Sequence, residues 1–204
     1  MLLCLDVGNS QIYGGVYVNE ELGLRFRYAT NLSNTSDQIG VFLKAVLREN
    51  NFCQNKITKI AICSVVPSLD YSLRSACIKY FDIDPFFLNI SAKTNLSFAY
   101  ERPEELGADR VATAIAATKL YPEKNLIVID LGTATTFCAI SREKLYLGGA
   151  ILAGIKLSMN ALHMGTAKLF AVEIVKPNNV VGKNTMENIQ SGLYYGQLGI
   201  IREL

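Results

Sequence analysis

Apolar and polar residues alternate in blocks along the chain, and the length and period of each block select an element. Leu2–Val7 is an apolar run closing on Asp-Val-Gly, and Gln11–Val18 resumes after a short Gly-Asn-Ser turn, which predicts a strand pair. Leu24–Thr30 reads as a third strand. Ser36–Glu49 then carries Ile39, Phe42, Leu43, Val46 and Leu47 at helical spacing, with Ser36-Asp37 as N-cap chemistry. Lys59–Val66 predicts a strand stopped by Pro67, Ser68–Phe81 a helix and Pro85–Ile90 a short strand. The first part therefore runs three strands, helix, strand, helix, strand.

The same opening returns past the middle. Gly107–Leu120 is Ala-rich and helical, and Asn125–Leu131 is an apolar run closing on Asp-Leu-Gly. Ala134–Ser141 and Lys144–Gly148 follow as its hairpin partners, and helices are expected after Gly154 and over 185–203. Leu-Cys-Leu-Asp6-Val-Gly8-Asn-Ser10 and Val-Ile-Asp130-Leu-Gly132-Thr133 match by type: apolar strand, Asp, apolar residue, Gly, small polar residue. One supersecondary unit is used twice, at a spacing too long for a solenoid period. Two α/β lobes are expected, 1–115 and 116–204.

Composition narrows the class. With 204 residues, half of them hydrophobic and 19% charged, the chain has enough apolar surface for a folded core and is not disordered. Twenty basic and eighteen acidic residues are scattered without a basic stripe, so charge implies no nucleic-acid partner. Five cysteines (Cys4, Cys53, Cys63, Cys77, Cys138) form no CxxC pair and read as reduced thiols, four of them inside apolar patterns. The single histidine, His163, builds no metal site alone and reads as a surface or interface residue. The N-terminus has no basic n-region, and no apolar run reaches spanning length without a charge, so a soluble cytoplasmic protein with no membrane partner is expected.

The paired turns carry the chemistry. A strand ending in Asp-x-Gly before a tight turn lets backbone N–H groups approach a phosphate closely. The Asp is placed to hold Mg²⁺, and hydroxyls at Ser10, Thr133 or Thr135 add donors. Each motif alone is equally an ordinary hairpin with an Asx-type turn. Two turns facing each other would cradle a polyphosphate. Ahead of the third helix, Tyr100-Glu-Arg-Pro-Glu-Glu-Leu-Gly107-Ala-Asp109-Arg110 offers Asp109 as a general base and Arg110 as an anion ligand. The same residues also suit a helix start, with Asp in the first turn and a solvated or salt-bridged Arg. Gly14-Gly15 reads as relief of crowding on the second strand.

Taken together, Asp6-Val-Gly-Asn-Ser10, Glu105-Leu-Gly-Ala-Asp-Arg110, Asp130-Leu-Gly-Thr-Ala-Thr135, Gly148-Gly149 with Gly154, and Gly182-Lys-Asn-Thr185 occur in the order of the type III pantothenate kinases. The chain resembles that family along nearly its whole length. The resemblance implies an actin-like (ribonuclease H-like) duplicated α/β fold, with mixed sheets flanked by helices, and ATP-dependent phosphorylation of pantothenate to 4′-phosphopantothenate in coenzyme A biosynthesis. It implies that Asp6, Val7, Gly8, Asn9, Ser10, Gln11, Ile12 and Tyr13 form the first phosphate loop, with Asp6 on Mg²⁺, and that Thr133 contacts ATP. Asp130 would bind a monovalent cation, K⁺ or NH₄⁺. Tyr100, Gly107, Ala108, Asp109 and Arg110 would bind pantothenate, with Asp109 taking the proton of its primary hydroxyl. Thr185 would reach the substrate of a second subunit, which implies a homodimer. The Asn184-x-x-Glu187 spacing equally marks Thr185 as a first-turn helix residue.

Two positions depart from the family pattern: Ala153 stands where Pro is usual after the glycine pair, and Leu169-Phe170 where Leu-Pro is common. Altered stiffness is expected there rather than lost chemistry. A second lobe repeating the first would need about 50 further residues after the last helix, at about 5 per strand and 11 per helix. The second half is therefore expected to be truncated, with an open sheet edge and weak ATP affinity. The other readings are a non-catalytic accessory protein of the same fold and a kinase for another small hydroxylated molecule.

Overall fold

The computed structural model describes all 204 residues, Met1–Leu204. They divide into two compact units, Met1–Leu96 with Tyr100–Leu120, and Ser97–Ala99 with Tyr121–Leu204. The boundary anticipated at 115 falls inside a helix that ends with the first unit.

The first unit contains β1 (Leu2–Val7), β2 (Gln11–Val18), β3 (Glu21–Ala29), α1 (Ser36–Glu49), β4 (Lys59–Ser64), α2 (Pro67–Phe81), β5 (Phe86–Phe87) and α3 (Ala108–Leu120). Its sheet runs β3-β2-β1-β4-β5, with β1 antiparallel to β2 and parallel to β4. Alternation along β1 turns Leu3, Leu5 and Val7 into the core, where they join Ile39, Leu43 and Leu47 of α1 and Leu69, Leu73 and Cys77 of α2. Each such side chain contributes about 1.5–3 kcal/mol by leaving water. The opposite alternation puts Asp6 on the other side of the sheet, away from this core.

Local chemistry fixes the element ends. α1 is capped by Thr35 rather than by Ser36-Asp37. The Thr35 hydroxyl accepts from Gln38 N, while Gln38 Oε1 accepts from Thr35 N at 2.8 Å, a reciprocal box that places Ser36 inside the helix. α2 begins on Pro67 and stops at Asp82 in the left-handed region, φ 57°. On β2, Gly14 lies under the Phe26 ring of β3, where a Cβ would overlap the ring. The crowding read from the sequence is real and its source is one aromatic.

The second unit contains β6 (Ser97–Phe98), β7 (Leu126–Leu131), β8 (Ala134–Ile140), β9 (Leu145–Ala153), α4 (Ile155–Gly165) and α5 (Thr185–Glu203). Its sheet runs β6-β9-β8-β7. Phe137, Cys138, Ile140 and Tyr146 form its buried centre, and Gln197 of α5 donates to Thr135 of β8 at 3.0 Å. β9 continues past its expected end at Gly148, because Gly148 at φ 135° absorbs the irregularity opposite Ala139 and Ile140. β6 was not anticipated; two residues are too few to show a period. The meander β7-β8-β9 repeats β1-β2-β3, so the duplication seen in the sequence is a duplication of structure.

Candidate active site

In the first unit one register line crosses four strands. Arg27 pairs with Tyr13, Tyr13 with Asp6, and Asp6 with Cys63. All four side chains line a cavity of about 590 Å³, to which α3 adds Ala112. The Arg27 guanidinium lies 4.8 Å from the centre of the Tyr13 ring. The turn beyond Asp6 is tied down: Gly8 N donates to Gln11 O at 3.1 Å, Thr30 Oγ1 to Gly8 O at 2.6 Å, and Thr30 N to Ser10 O at 3.1 Å. Asn9 and Ser10 remain exposed at its tip, on a backbone that is already fixed.

α3 opens at Gly107, whose carbonyl accepts from Arg110 N at 3.1 Å and Val111 N at 3.2 Å. Asp109 turns its Oδ1 back onto Arg110 N at 2.7 Å, and Thr113 Oγ1 donates to Asp109 O at 2.7 Å. Arg110 is buried and Asp109 half-buried. The helix-start reading thus holds for Asp109 but not for a solvated Arg110, which is 9% exposed, and it leaves one oxygen of the Asp109 carboxylate outside that bond. Gly107 and Ala108 line a second cavity, of about 670 Å³, with Ser64, Val65 and Asn89. Tyr100 is half-buried ahead of the turn Pro103–Glu105, where Arg102 and Glu105 pair at 3.0 Å.

Cys63 joins these parts. Its thiol is buried, donates to Asp6, and feels the charges of both Asp6 and Asp109. Desolvation first, then the two carboxylates, push it up to about 12. One neutral thiol thus bonds to the carboxylate beside the phosphate turn and lies within electrostatic range of the carboxylate of α3.

The second unit carries the other residues singled out. Asp130 sits exposed near the end of β7, and Gly132 N donates to Ala134 O at 3.0 Å across the turn. Gly154 N donates to Thr133 O at 2.9 Å, in an approach so close that a Cβ on Gly154 would overlap the carbonyls of Gly132 and Thr133. Thr133 is exposed, whereas Thr135 is 1% exposed and bonded to Gln197. Thr185 is the first residue of α5, exposed, next to the N-cap Asn184, whose side chain accepts from Glu187 N at 2.9 Å. His163 is exposed, with Nδ1 at 3.1 Å from Leu169 O.

Of the residues read from the sequence, the first unit brings Asp6 and Tyr13 onto one cavity and carries Asp109 on the helix whose Ala112 lines it; Thr133, Asp130 and Thr185 belong to the second. Cys63, Thr30 and Arg27 went unrecognised. An apolar run hid Cys63, and only the parallel register of β1 with β4 places it beside a residue 57 positions away. No cluster of three side chains suited to a metal is present. That fits Mg²⁺ in phosphoryl transfer, which takes one or two carboxylates and completes its shell with substrate phosphates and water. Asp6, exposed at its strand end, meets that requirement.

The model of the type III pantothenate kinase family matches residues 2–204. A type III pantothenate kinase of Legionella pneumophila (strain Corby) is 62% identical over 204 residues, covering all of this chain and 79% of the relative. Type III pantothenate kinase 1 of Francisella tularensis subsp. holarctica (strain OSU18) is 48% identical, with coverage of 100% and 80%. Among solved structures, one described as a conserved Baf family transcriptional activator from Campylobacter jejuni superposes with a TM-score of 0.59 at 24% identity, covering 98% of this chain and 78% of that one. Another, described as a 2-dehydro-3-deoxygalactonokinase from Sinorhizobium meliloti, gives 0.52 at 12% identity over 81% and 57%. At those identities the likeness concerns the fold alone, the duplicated actin-like α/β fold expected from the sequence.

Proposed function

The chain belongs to the type III pantothenate kinase family, and we propose that it transfers the terminal phosphoryl group of ATP to the primary hydroxyl of pantothenate, opening coenzyme A biosynthesis. The hydroxyl oxygen forms the new bond to phosphorus, the bond to the β,γ-bridging oxygen breaks, and ADP leaves. The hydroxyl proton passes to Asp109. The observation that carries this reading is the register that sets Asp6 on a cavity with Tyr13, Arg27 and Cys63, closed by Ala112 of the helix that bears Asp109.

The roles follow from the chemistry of each position. The turn from Asp6 through Val7, Gly8, Asn9, Ser10, Gln11 and Ile12 to Tyr13 offers backbone N–H groups and the Ser10 hydroxyl to phosphate oxygens, and Thr133 offers a further hydroxyl to ATP. Phosphoryl transfer runs through a loose transition state, so fixed positions and charge stabilisation outweigh base strength. An ordinary carboxylate is therefore adequate as the acceptor of a proton released late. Tyr100, Gly107, Ala108 and Arg110 bind pantothenate around Asp109. Mg²⁺, when bound through Asp6, neutralises phosphate charge. Asp130 holds a monovalent cation, K⁺ or NH₄⁺; its support is one exposed carboxylate beside a fixed turn. Thr185 serves the pantothenate site of a second subunit in a homodimer, and the setting is the cytoplasm. No helix is long and apolar enough to cross a membrane.

Phosphorylation of labelled pantothenate with ATP, Mg²⁺ and K⁺ tests the assignment. Asp109→Asn should lower turnover by about 10²–10⁴, the range for removal of a positioned acid–base group, with an unchanged thermal midpoint. A fully active Asn variant would remove Asp109 from the chemistry. Robust turnover by the unaltered chain would overturn the expectation of weak ATP affinity.

A further inference from the structure

Cys63 stands beside Asp6 and within electrostatic range of Asp109. Cys63 is register-paired with Asp6 on the neighbouring parallel strand, both side chains line one cavity, and the same cavity takes Ala112 from the helix that carries Asp109. We propose that Cys63 is a positioning residue: its S–H group donates to the Asp6 carboxylate and fixes which oxygen Asp6 presents to the metal–nucleotide complex. The proposal rests on the kinase reading and deepens it.

Charge and size both favour a thiol at this place. Asp6 and Asp109 have to remain available as anions, one for a cation and one for a proton. A cationic neighbour would occupy the Asp6 oxygens, and an anionic neighbour would repel both carboxylates. A neutral S–H is a weak donor that orients without competing. Size matters as well: Cys63 is only 9% exposed yet lines the cavity of about 590 Å³, and a short side chain leaves that space open beside Asp6. Serine is the one replacement that keeps a short donor. Orientation of a metal-binding carboxylate by such a partner is a general property of metal sites, and loss of the partner costs affinity even though the partner never touches the ion.

The experiment uses the full chain and reads metal binding apart from turnover. Mn²⁺ affinity in the presence of a non-hydrolysable ATP analogue is measured by electron paramagnetic resonance for the unaltered chain, Cys63→Ala and Cys63→Ser. Cys63→Ala should weaken Mn²⁺ binding about tenfold, the low end for a lost supporting partner. Cys63→Ser should restore it to within about threefold, as a hydroxyl donor in the same place would, and the KM for pantothenate should follow neither change. A second readout needs no folded Ala variant. The infrared S–H stretching band that vanishes in Cys63→Ser should shift in the unaltered chain when Mn²⁺ and the analogue are added. Equal Mn²⁺ affinity in all three proteins, or an S–H band that does not move while Mn²⁺ binds, overturns the role of Cys63 and leaves the kinase reading intact. Failure of the unaltered chain to bind Mn²⁺ at saturating analogue overturns Asp6 as the metal ligand and the role of Cys63 with it, and leaves the family assignment standing.

Discussion

Asp6 and Asp130 close the same short motif on different supports. β1 lies between β2 and β4, so the backbone at Asp6 has hydrogen-bonded neighbours on both sides, Tyr13 on one and Cys63 on the other. β7 is the outermost strand of its sheet, and Asp130 has only Thr136 across from it. The turns differ too. Asp6 faces Tyr13 across six intervening residues and Asp130 faces Thr136 across five, so the second turn is one residue tighter. Each turn is braced by the residue that follows its third strand, but by Thr30 through a side chain in one case and by Gly154 through bare backbone in the other. On the proposed assignment, Mg²⁺, which demands near-ideal geometry, would take the carboxylate whose strand is paired on both sides, and a monovalent ion the carboxylate whose strand is paired on one, both being exposed.

The sharpest way to break this comparison is to remove each carboxylate in turn. Asp6→Asn should cost turnover about 10²–10³, comparable to loss of one main electrostatic contact in a transition state. Excess K⁺ should not restore it. Asp130→Asn should cost less and shift the K⁺ dependence of turnover while leaving the Mg²⁺ dependence in place. Paired Mg²⁺ and K⁺ titrations in an ADP-release assay read both. If the two variants respond alike to both ions, the motifs are chemically equivalent and the assignment of separate cations is wrong.

The braces give a second, smaller contrast, read in urea unfolding. Gly154→Ala forces a methyl into the carbonyls of Gly132 and Thr133 and should destabilise by about 1–3 kcal/mol, as overpacking does. Thr30→Val removes one hydroxyl donor from Gly8 O and should cost about 0.5–1.5 kcal/mol. A Gly154→Ala protein as stable as the parent would mean that the second turn yields, and that backbone proximity there is not a brace.

Much of this was legible before any coordinates. Period and breakers located β1, β2, α1 and α5 to the residue, because each combines a clear repeat with a capping or turn signal at its ends. The two Asp-x-Gly turns were visible because they repeat. What stayed hidden depends on register. Cys63 was one apolar-run residue among several until β4 aligned beside β1, and Thr30 gained its role only when β3 delivered it to the first turn. The true cap of α1 lay one residue upstream of the residues chosen, since Thr, Ser and Asp in succession all have cap chemistry and the Gln38 side chain decides among them. The continuation of β9 past Gly148 was likewise unreadable, because a glycine that ends a strand and one that carries a bulge look the same in sequence.

The helices extend the comparison to its smallest expected effect. In the first unit α1 and α2 are pinned at the surface: Lys79 Nζ lies 2.6 Å from Asp37 Oδ1, and Tyr80 OH donates to the same oxygen at 2.9 Å. No ion pair joins α4 to α5 in the second unit. The Lys79 and Tyr80 hydrogen bonds hold the Asp37 carboxyl below its usual range, while the Asp37 partner holds Lys79 and Tyr80 above theirs. A lowered carboxyl value means that its contribution is present above the unfolded value of about 3.9 and is lost as pH falls through the folded one. The raised Lys79 and Tyr80 values mean that their contribution is present below about 10 and is lost as pH rises further. Asp37 and Lys79 are solvent-exposed and Tyr80 is half-buried, so the effect is small and screened by salt. Asp37→Asn should therefore lower the urea midpoint slightly at neutral pH and low salt, and the difference should fade both in 1 M salt, where the Debye length is about 3 Å, and on acidification below about pH 3. A midpoint difference that stays constant from neutral to acid would show that Asp37 acts through packing of the α1 N-terminus and not through its charge. The first unit would then owe its helix pairing to the apolar seam between α1 and α2 alone.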